Sequence, residues 1–431
     1  MADAADRLEA GSTVTIPAAR PMSLLRNRDY MLLWLGQLVS SMGSGVSGMA
    51  FPLLILAITR SPADAGLAGL LRTLPYLFLS LPAGALIDRW DRKRVMILCD
   101  SIRALNAASI PIAFAIGRLS LAQLYVTTTI EGTCFVFFNI AEVACLPKVV
   151  SKAQIPAASS QNQAGEITAG LVAPPLGGAL FQVARNVPFL LDAVSYAASV
   201  GSLFLIRTQF QGERSQTPRA LRAEIAEGVR WLWGQPLIRF MAFLTGGLNF
   251  TTAGLDLMLI VIARQQHAPA AAIGAIFSIG SLGGLAGAMT APWFQKRFRF
   301  GSVIIVTIWI QALVFPLFAA APNVVFLGVV MAVLFVTGPI YNAVQFSYRL
   351  SIIPDELQGR VNSSFRLIAF GFMPVGTAAS GIMLQALGPD STVLAFSVVT
   401  ISLAVAATLN SHVRQAPRPA GQAAHLGQSS P

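Results

Sequence analysis

The chain has 431 residues, of which 55% are apolar and 11% charged, with a mean hydropathy of +0.65 and a formal net charge of +11. Soluble chains carry roughly a quarter of their residues as charge, so a soluble enzyme, a nucleic-acid-binding module and a disordered scaffold are excluded and a polytopic membrane protein remains.

The first 28 residues lack the apolar core of a cleavable signal peptide, so the first span is expected to stay in the mature protein. Crossing a bilayer takes about 20 apolar residues. Twelve such runs lie near 30–58, 64–87, 95–117, 121–145, 160–183, 187–206, 238–262, 270–293, 301–320, 323–347, 361–387 and 391–410. Spans five and eleven are interrupted by Gly and Pro. Lipid requires backbone groups to pair within their own segment, so all twelve are expected to be helices. The alternation of a membrane barrel is absent. The resulting organisation is a cytoplasmic segment 1–29, a six-helix half 30–206, a linker 207–237, a second six-helix half 238–410 and a disordered tail 411–431. In the linker, Leu221, Ile225, Val229 and Leu232 recur at helical spacing beside Arg219, Arg222 and Arg230, the pattern of an amphipathic helix on a membrane surface.

Of the 30 Lys and Arg residues, 24 fall on one side if both termini are cytoplasmic and five on the other, with Arg103 inside span three. That asymmetry orients the chain in the plasma membrane, positive side inward, and explains the basic charge without nucleic acid. Shifting the chain by 207 superposes Pro147 on Pro354, the turn at Asp88-Arg89 on Gln295-Lys296, and Trp34 on Met241. One constant offset implies duplicated halves, an arrangement typical of secondary transporters with a midplane site between the halves.

The densest polar motif is Gly84-Ala-Leu-Ile-Asp88-Arg89-Trp-Asp91-Arg92-Lys93-Arg94 between spans two and three. A positive-inside loop accounts for its cations. It does not account for the interleaved carboxylates, which can form breakable charge-assisted bonds and face a helix N-terminus. Span five carries Gly170, Pro174, Pro175, Gly177 and Gly178, read either as close packing or as a bend. Charges inside spans are costly. Glu131 in span four and Asp256 in span seven are candidates for proton or cation coupling, and Arg72 in span two either neutralises one of them or meets substrate. Asp100, Arg103 and Glu142 are assigned to a network at the cytoplasmic ends, and Glu166 and Asp192 to solvated span ends. Gln37, Asn139, Asn249, Asn342 and Gln345 are candidate cavity-lining residues or interhelical hydrogen-bond partners. Phe135, Phe137, Phe138 and Phe250 imply an aromatic cavity wall, suited to a bulky amphipathic substrate.

On the Gly84–Lys93 motif the sequence resembles the major facilitator superfamily, whose signature reads Gly-x-x-x-Asp-Arg-x-Gly-Arg-Arg/Lys. Gly84, Asp88, Arg89, Arg92 and Lys93 match, and Asp91 stands where Gly is usual. Leu25-Arg-Asn-Arg-Asp-Tyr30, Leu146-Pro-Lys-Val-Val150 and Pro354-Asp-Glu-Leu-Gln-Gly-Arg-Val361 are similar to a subgroup of macrolide and siderophore exporters. The resemblance implies an all-α fold of two six-helix halves, with spans one, four, seven and ten around the cavity. It implies that Asp88 and Arg89 stabilise the outward-facing state by pairing with span eleven, and that the Gly/Pro run opposes leakage between halves. The expected function is proton-coupled efflux of a bulky drug, macrolide or siderophore by a monomer. The alternative is import or lipid translocation on the same scaffold. No Gly-Lys pair of an ATP-binding loop occurs. The three cysteines and three histidines are dispersed, so neither metal nor other cofactor is expected.

Overall fold

The structure, a computed structural model, describes residues 24–210, 221–354 and 357–416. Among these residues there are helices and no strands. The first half comprises α1 (Arg28–Thr59), α2 (Pro62–Ile87), α3 (Arg92–Ala115), α4 (Leu121–Val149), α5 (Ile155–Val183) and α6 (Val187–Leu205). After α7 (Leu221–Gly234) come α8 (Pro236–Gln265), α9 (Ala270–Arg297), α10 (Phe300–Val314, continued as a 3-10 turn Phe315–Phe318) and α11 (Val324–Ile352). The last elements are α12 (Gln358–Gly371), α13 (Met373–Leu387), α14 (Pro389–Leu409) and α15 (Ser411–Arg414).

The starts follow from local chemistry. Asn27, Ser61, Asp91, Ser120 and Asn323 each accept a hydrogen bond from the backbone N–H three residues on, giving α1, α2, α3, α4 and α11 a cap. Span eleven divides at Phe372 into α12 and α13, because Pro374 at the start of α13 has no N–H to continue the ladder. Pro316 likewise turns the end of span nine into 3-10 helix. The offset of 207 places α1 on 235–266 and α2 on 269–294, within three residues of α8 and α9 at either end, but α4 on 328–356, four residues late against α11. One offset therefore does not serve the whole chain, and the shortfall arises in span nine.

Eleven helices, counting α12 and α13 together, are long and apolar enough to cross a membrane. The remaining long helix, α5, has 29 residues but carries Gln161, Asn162, Gln163, Glu166 and Thr168 in its first half. Its polar face is explained by the cavity it lines.

Each half packs within itself, α1 against α5 and α6, α2 and α3 against α4, α8 against α13 and α14, α9 against α11. The halves meet along two seams, α5 with α9 and α2 with α13. The two ends of the bundle differ. At the end away from the Asp88 turn, a single apolar core joins both halves, from Met49, Leu53 and Phe189 to Met258, Phe318 and Phe396. At the Asp88 end the cores are separate, one around Tyr30, Met96 and Phe210 and the other around Met241, Ile304 and Tyr348. The bundle is thus sealed at the far end and parted at the Asp88 end.

In the linker, Leu221–Gly234 form α7. Leu232 is buried in the second-half core, and Gly228 packs against the backbone of Arg360 at the start of α12. The side chains of Leu221 and Ile225 lie outside the described residues, as do Arg214, Arg219 and most of the segment 1–29. The tail departs from expectation at its start. Asn410 caps α15, and Val413 is fully buried against α10, while 417–431 lies outside the described residues.

Candidate transport site

A cavity of about 200 Å³ lies between the halves, lined from α1 by Gly48, Phe51 and Pro52, from α2 by Arg72, from α4 by Thr128, from α8 by Asp256 and from α13 by Thr377. Arg72 reaches it because two neighbours lack side chains. A Cβ on Gly132 of α4 would stand 1.9 Å from the Arg72 carbonyl oxygen, and one on Gly48 would stand 3.4 Å from its Nη1. Two of the three candidate coupling residues, Arg72 and Asp256, therefore face one cavity from opposite halves.

The third, Glu131, is buried in the first half and held by α3. Arg103 Nε donates to its Oε1 and Oε2 at 3.1 and 3.2 Å, and Nη2 donates to Oε1 as well. Tyr196 of α6 donates to Oε1 at 2.9 Å, and its ring lies 4.2 Å under the Arg103 guanidinium. Arg103 also reaches Asp100 at 3.4 Å, which accepts from Ser199 at 2.6 Å, and the Tyr196 and Ser44 hydroxyls are 2.7 Å apart. A bidentate guanidinium–carboxylate pair makes charge-assisted hydrogen bonds roughly twice as strong as neutral ones. Arg103 and Asp100, assigned from sequence to the cytoplasmic ends, thus belong to the centre of this half. Asp192 also differs from expectation. It is 3% exposed, and Ser47 donates to its Oδ2.

A second cavity, of about 240 Å³, opens between α1, α4 and α5 toward the Asp88 end. It collects Gln37 and Asn139, two of the candidate lining residues, with Trp34, Asn162, Glu142 and Glu166. The Trp34 indole donates to the Gln161 carbonyl at 3.1 Å, while Gln37 Nε2 is buried without a hydrogen-bond partner among the described residues. The other candidates have separate places. Asn249 donates to the Ala369 carbonyl at 2.8 Å and joins α8 to α12, Gln345 is buried in α11, and Asn342 is exposed. Of the phenylalanines, Phe137 stacks on Trp90, Phe250 stacks on Phe396, Phe138 is buried and Phe135 is exposed. The aromatic ring at the cavity between the halves is Phe51, which the sequence reading did not single out.

The Gly84–Arg94 turn ties helix ends together. The Asp88 N–H donates to the Gly84 carbonyl at 3.1 Å, ending α2, and Asp88 pairs with Arg92 at 3.4 Å. Arg92 also donates to the Ala144 carbonyl at 3.0 Å, and Lys93 to the Ile206 carbonyl at 2.6 Å, so the turn holds the ends of α4 and α6. Asp91, unusual for the signature, caps α3 by accepting from Arg94 N–H at 3.0 Å. Asn27 and Asp29 act alike, Asn27 donating to the Val149 carbonyl and Asp29 accepting from Thr208 N–H, both at 2.8 Å.

In span five, α5 runs unbroken through Pro174 and Pro175. These prolines leave the carbonyls of Gly170 and Leu171 without intrahelical donors. Ser281 of α9 donates to the Gly170 carbonyl at 3.1 Å, and Ser278 donates to that of Leu171. Each orphan acceptor is satisfied from the other half. Gly178 and Gly274 permit the contact, since a Cβ on either would stand 2.1 or 2.2 Å from the opposing carbonyl of Ala270 or Pro174. The second seam is similar, with Ser61 donating to Gln385 at 2.6 Å and Arg366 to Tyr76 at 2.6 Å.

Two helical halves joined at one end, with cavities between helices and a Gly-x-x-x-Asp-Arg turn, define a major facilitator transporter. The family model for transmembrane secretion effectors matches residues 19–426, and the chain belongs to that family. It is similar to the multidrug efflux pump Tap of Mycolicibacterium fortuitum (25% identity, covering 91% of this chain and 98% of the relative). It is also similar to macrolide efflux protein A of Streptococcus pyogenes (24%; 90% and 96%) and to the enterobactin exporter EntS of Salmonella typhimurium (25%; 89% and 92%). Among solved structures, the nucleoside transporter NupG shares the fold with a TM-score of 0.71 at 16% identity, covering 92% of this chain and 100% of that one. The fold and the relatives are those of transporters, not of enzymes.

Proposed function

We propose that this protein exports a bulky organic molecule, of the drug, macrolide or siderophore kind, across the plasma membrane by alternating access driven by protons. The observation that carries the reading is the contrast between the ends. One core joins the halves at the far end, the cavity that holds Arg72 and Asp256 between the halves abuts that core through Ile55, Ala65 and Leu257, and a second cavity opens among first-half helices toward the basic end. A molecule entering there meets Arg72 and Asp256 from opposite halves, and rocking about the two seams would expose the same groups to the other side. Asp256, Arg72 and the Glu131–Arg103 pair form the coupling centre. Protonating an acid there removes a charge that helps to hold one arrangement, so a proton gradient biases the two states. Asp88 and Arg89 stabilise the opposite state, when the Asp88 end closes on span eleven. The relatives named as exporters favour efflux over import or lipid translocation. The protein works as a monomer, with both termini and the Asp88 turn in the cytoplasm.

Proteoliposomes under an imposed pH gradient test this, with erythromycin and enterobactin as probes. Gradient-driven uptake is expected in the wild type and reduced in Glu131→Gln and Asp256→Asn. Uptake that ignores the gradient in all three proteins removes the coupling.

A further inference from the structure

Four carboxyls and two guanidiniums serve the middle of the bundle: Asp100, Glu131, Asp192 and Asp256 with Arg72 and Arg103. Lipid-embedded charge without a partner is costly, so the acids outnumber what the cations can hold in ionised form. The geometry separates them. Glu131 takes the Arg103 fork together with Tyr196, and Asp100 takes Arg103 from the other side together with Ser199. Asp256 shares its cavity with Arg72. Asp192 has hydroxyls alone. Ser47 donates to Oδ2, Ser195 lies 3.5 Å from Oδ1, and no Lys or Arg stands within ion-pair distance among the described residues.

We infer that Asp192 carries a proton in this conformation and exchanges it during transport, while the Glu131–Arg103 pair stays ionised as the fixed part of the same centre. The inference rests on the proton-coupled reading above and names the proton's residence. The groups facing Asp192 are few. From α1 comes the hydroxyl of Ser47, from α3 Arg103, from α4 Glu131, from α2 Arg72, and from its own helix Ser195 and Tyr196. The sole charge on α5, Glu166, lines the cavity toward the Asp88 end. α1 passes so close that a Cβ on Gly43 would stand 3.0 Å from Asp192 Oδ1 and 2.0 Å from Ser195 Oγ. A proton needs no volume in so close a contact, and the sodium arm of the test below separates it from a cation. The exchange is a simple ionisation. The neutral carboxyl gives its proton to water entering the cavity when the halves move, and the centre becomes more negative by one charge.

Infrared difference spectroscopy of the purified full-length protein, titrated from acidic to alkaline buffer without substrate, reads buried neutral carboxyls directly. The wild type is expected to lose one C=O band that Asp192→Asn lacks and Asp192→Glu restores at a shifted position. Replacing choline by sodium at fixed pH should leave the band in place. An Asp192→Asn protein that titrates like the wild type, or a band removed by sodium, overturns the inference. In proteoliposomes with erythromycin as probe, Asp192→Asn is expected to lose the stimulation by a pH gradient while exchange at equal pH continues, which also shows that the variant is folded. Retained stimulation in this variant sinks Asp192 and leaves the efflux reading standing. The Asp192 band in a wild type that transports neither erythromycin nor enterobactin supports the proton site and sinks the efflux reading.

Discussion

Gly132 matters for what it lacks. With the Arg72 carbonyl 1.9 Å from where a methyl would sit, Gly132→Ala must push α2 away from α4. It is expected to cost about 1–3 kcal/mol. Gly284→Ala, with nothing within 4 Å of the added carbon, should be neutral or stabilising by up to about 1 kcal/mol. Thermal unfolding in detergent, followed by tryptophan fluorescence, distinguishes the two. The buried ion pair makes a sharper case. Arg103→Met strands Glu131 and Asp100 and is expected to cost about 3–5 kcal/mol, whereas Arg103→Met combined with Glu131→Met should cost less than the sum of the two single changes. At this scale the sequence was partly legible. Glu131, Arg72 and Asp256 are conspicuous because charge is rare in apolar runs. Their partners are not, because contact between α3, α4 and α6 depends on how helices distant in sequence pack. Asp192 looked like a span-end acid by its position, and only the approach of α1 reveals that it is enclosed.

The double proline of α5 and the paired serines of α9 form one unit across the halves. Ser281→Ala leaves the Gly170 carbonyl unsatisfied, at a cost of about 1–3 kcal/mol. Pro174→Ala supplies an N–H to that carbonyl, so Ser281→Ala should cost little in that background. Non-additivity in a double-mutant unfolding cycle is the expected result. At the start of α3, Asp91→Ala should cost about 1 kcal/mol through the lost cap, and Asp91→Gly only a few tenths. Tolerance of the shorter residue fits a signature that usually has Gly there. The helices themselves were readable from apolar runs, because a bilayer leaves the backbone few alternatives. One feature escaped that reading: the start of α15 is polar by composition and ordered by its neighbours. The Gly/Pro run was visible as a motif, but its partners Ser278 and Ser281 were hidden in a helix that reads as plain small-residue packing.

For the molecule as a whole, the contrast between its ends sets what reagents can reach. Cys99, Cys134 and Cys145 are buried and unpaired by disulfide, so single introduced cysteines report cleanly. In inside-out vesicles an impermeant maleimide is expected to label Asn139→Cys readily and Ser278→Cys poorly, and in right-side-out vesicles neither. Fast labelling of Ser278→Cys with slow labelling of Asn139→Cys would mean that the resting state has the opposite polarity. The two-half architecture was accessible from the repeated landmarks and the basic loops. Which end stands open was not, because the same residues must permit both arrangements, and their difference in free energy is small beside the total packing.

The far seam is held by hydroxyls on carbonyls, an amide and small-residue contact, with no ion pair across it among the described residues. Ionic strength screens exposed charges and leaves such contacts nearly untouched. The Asp88 turn at the other end carries exposed charge, with Asp88 paired to Arg92 and Asp91 to Arg94. Salt at the Asp88 end should therefore tune how readily that end shuts, while salt at the far end should leave the resting conformation unchanged.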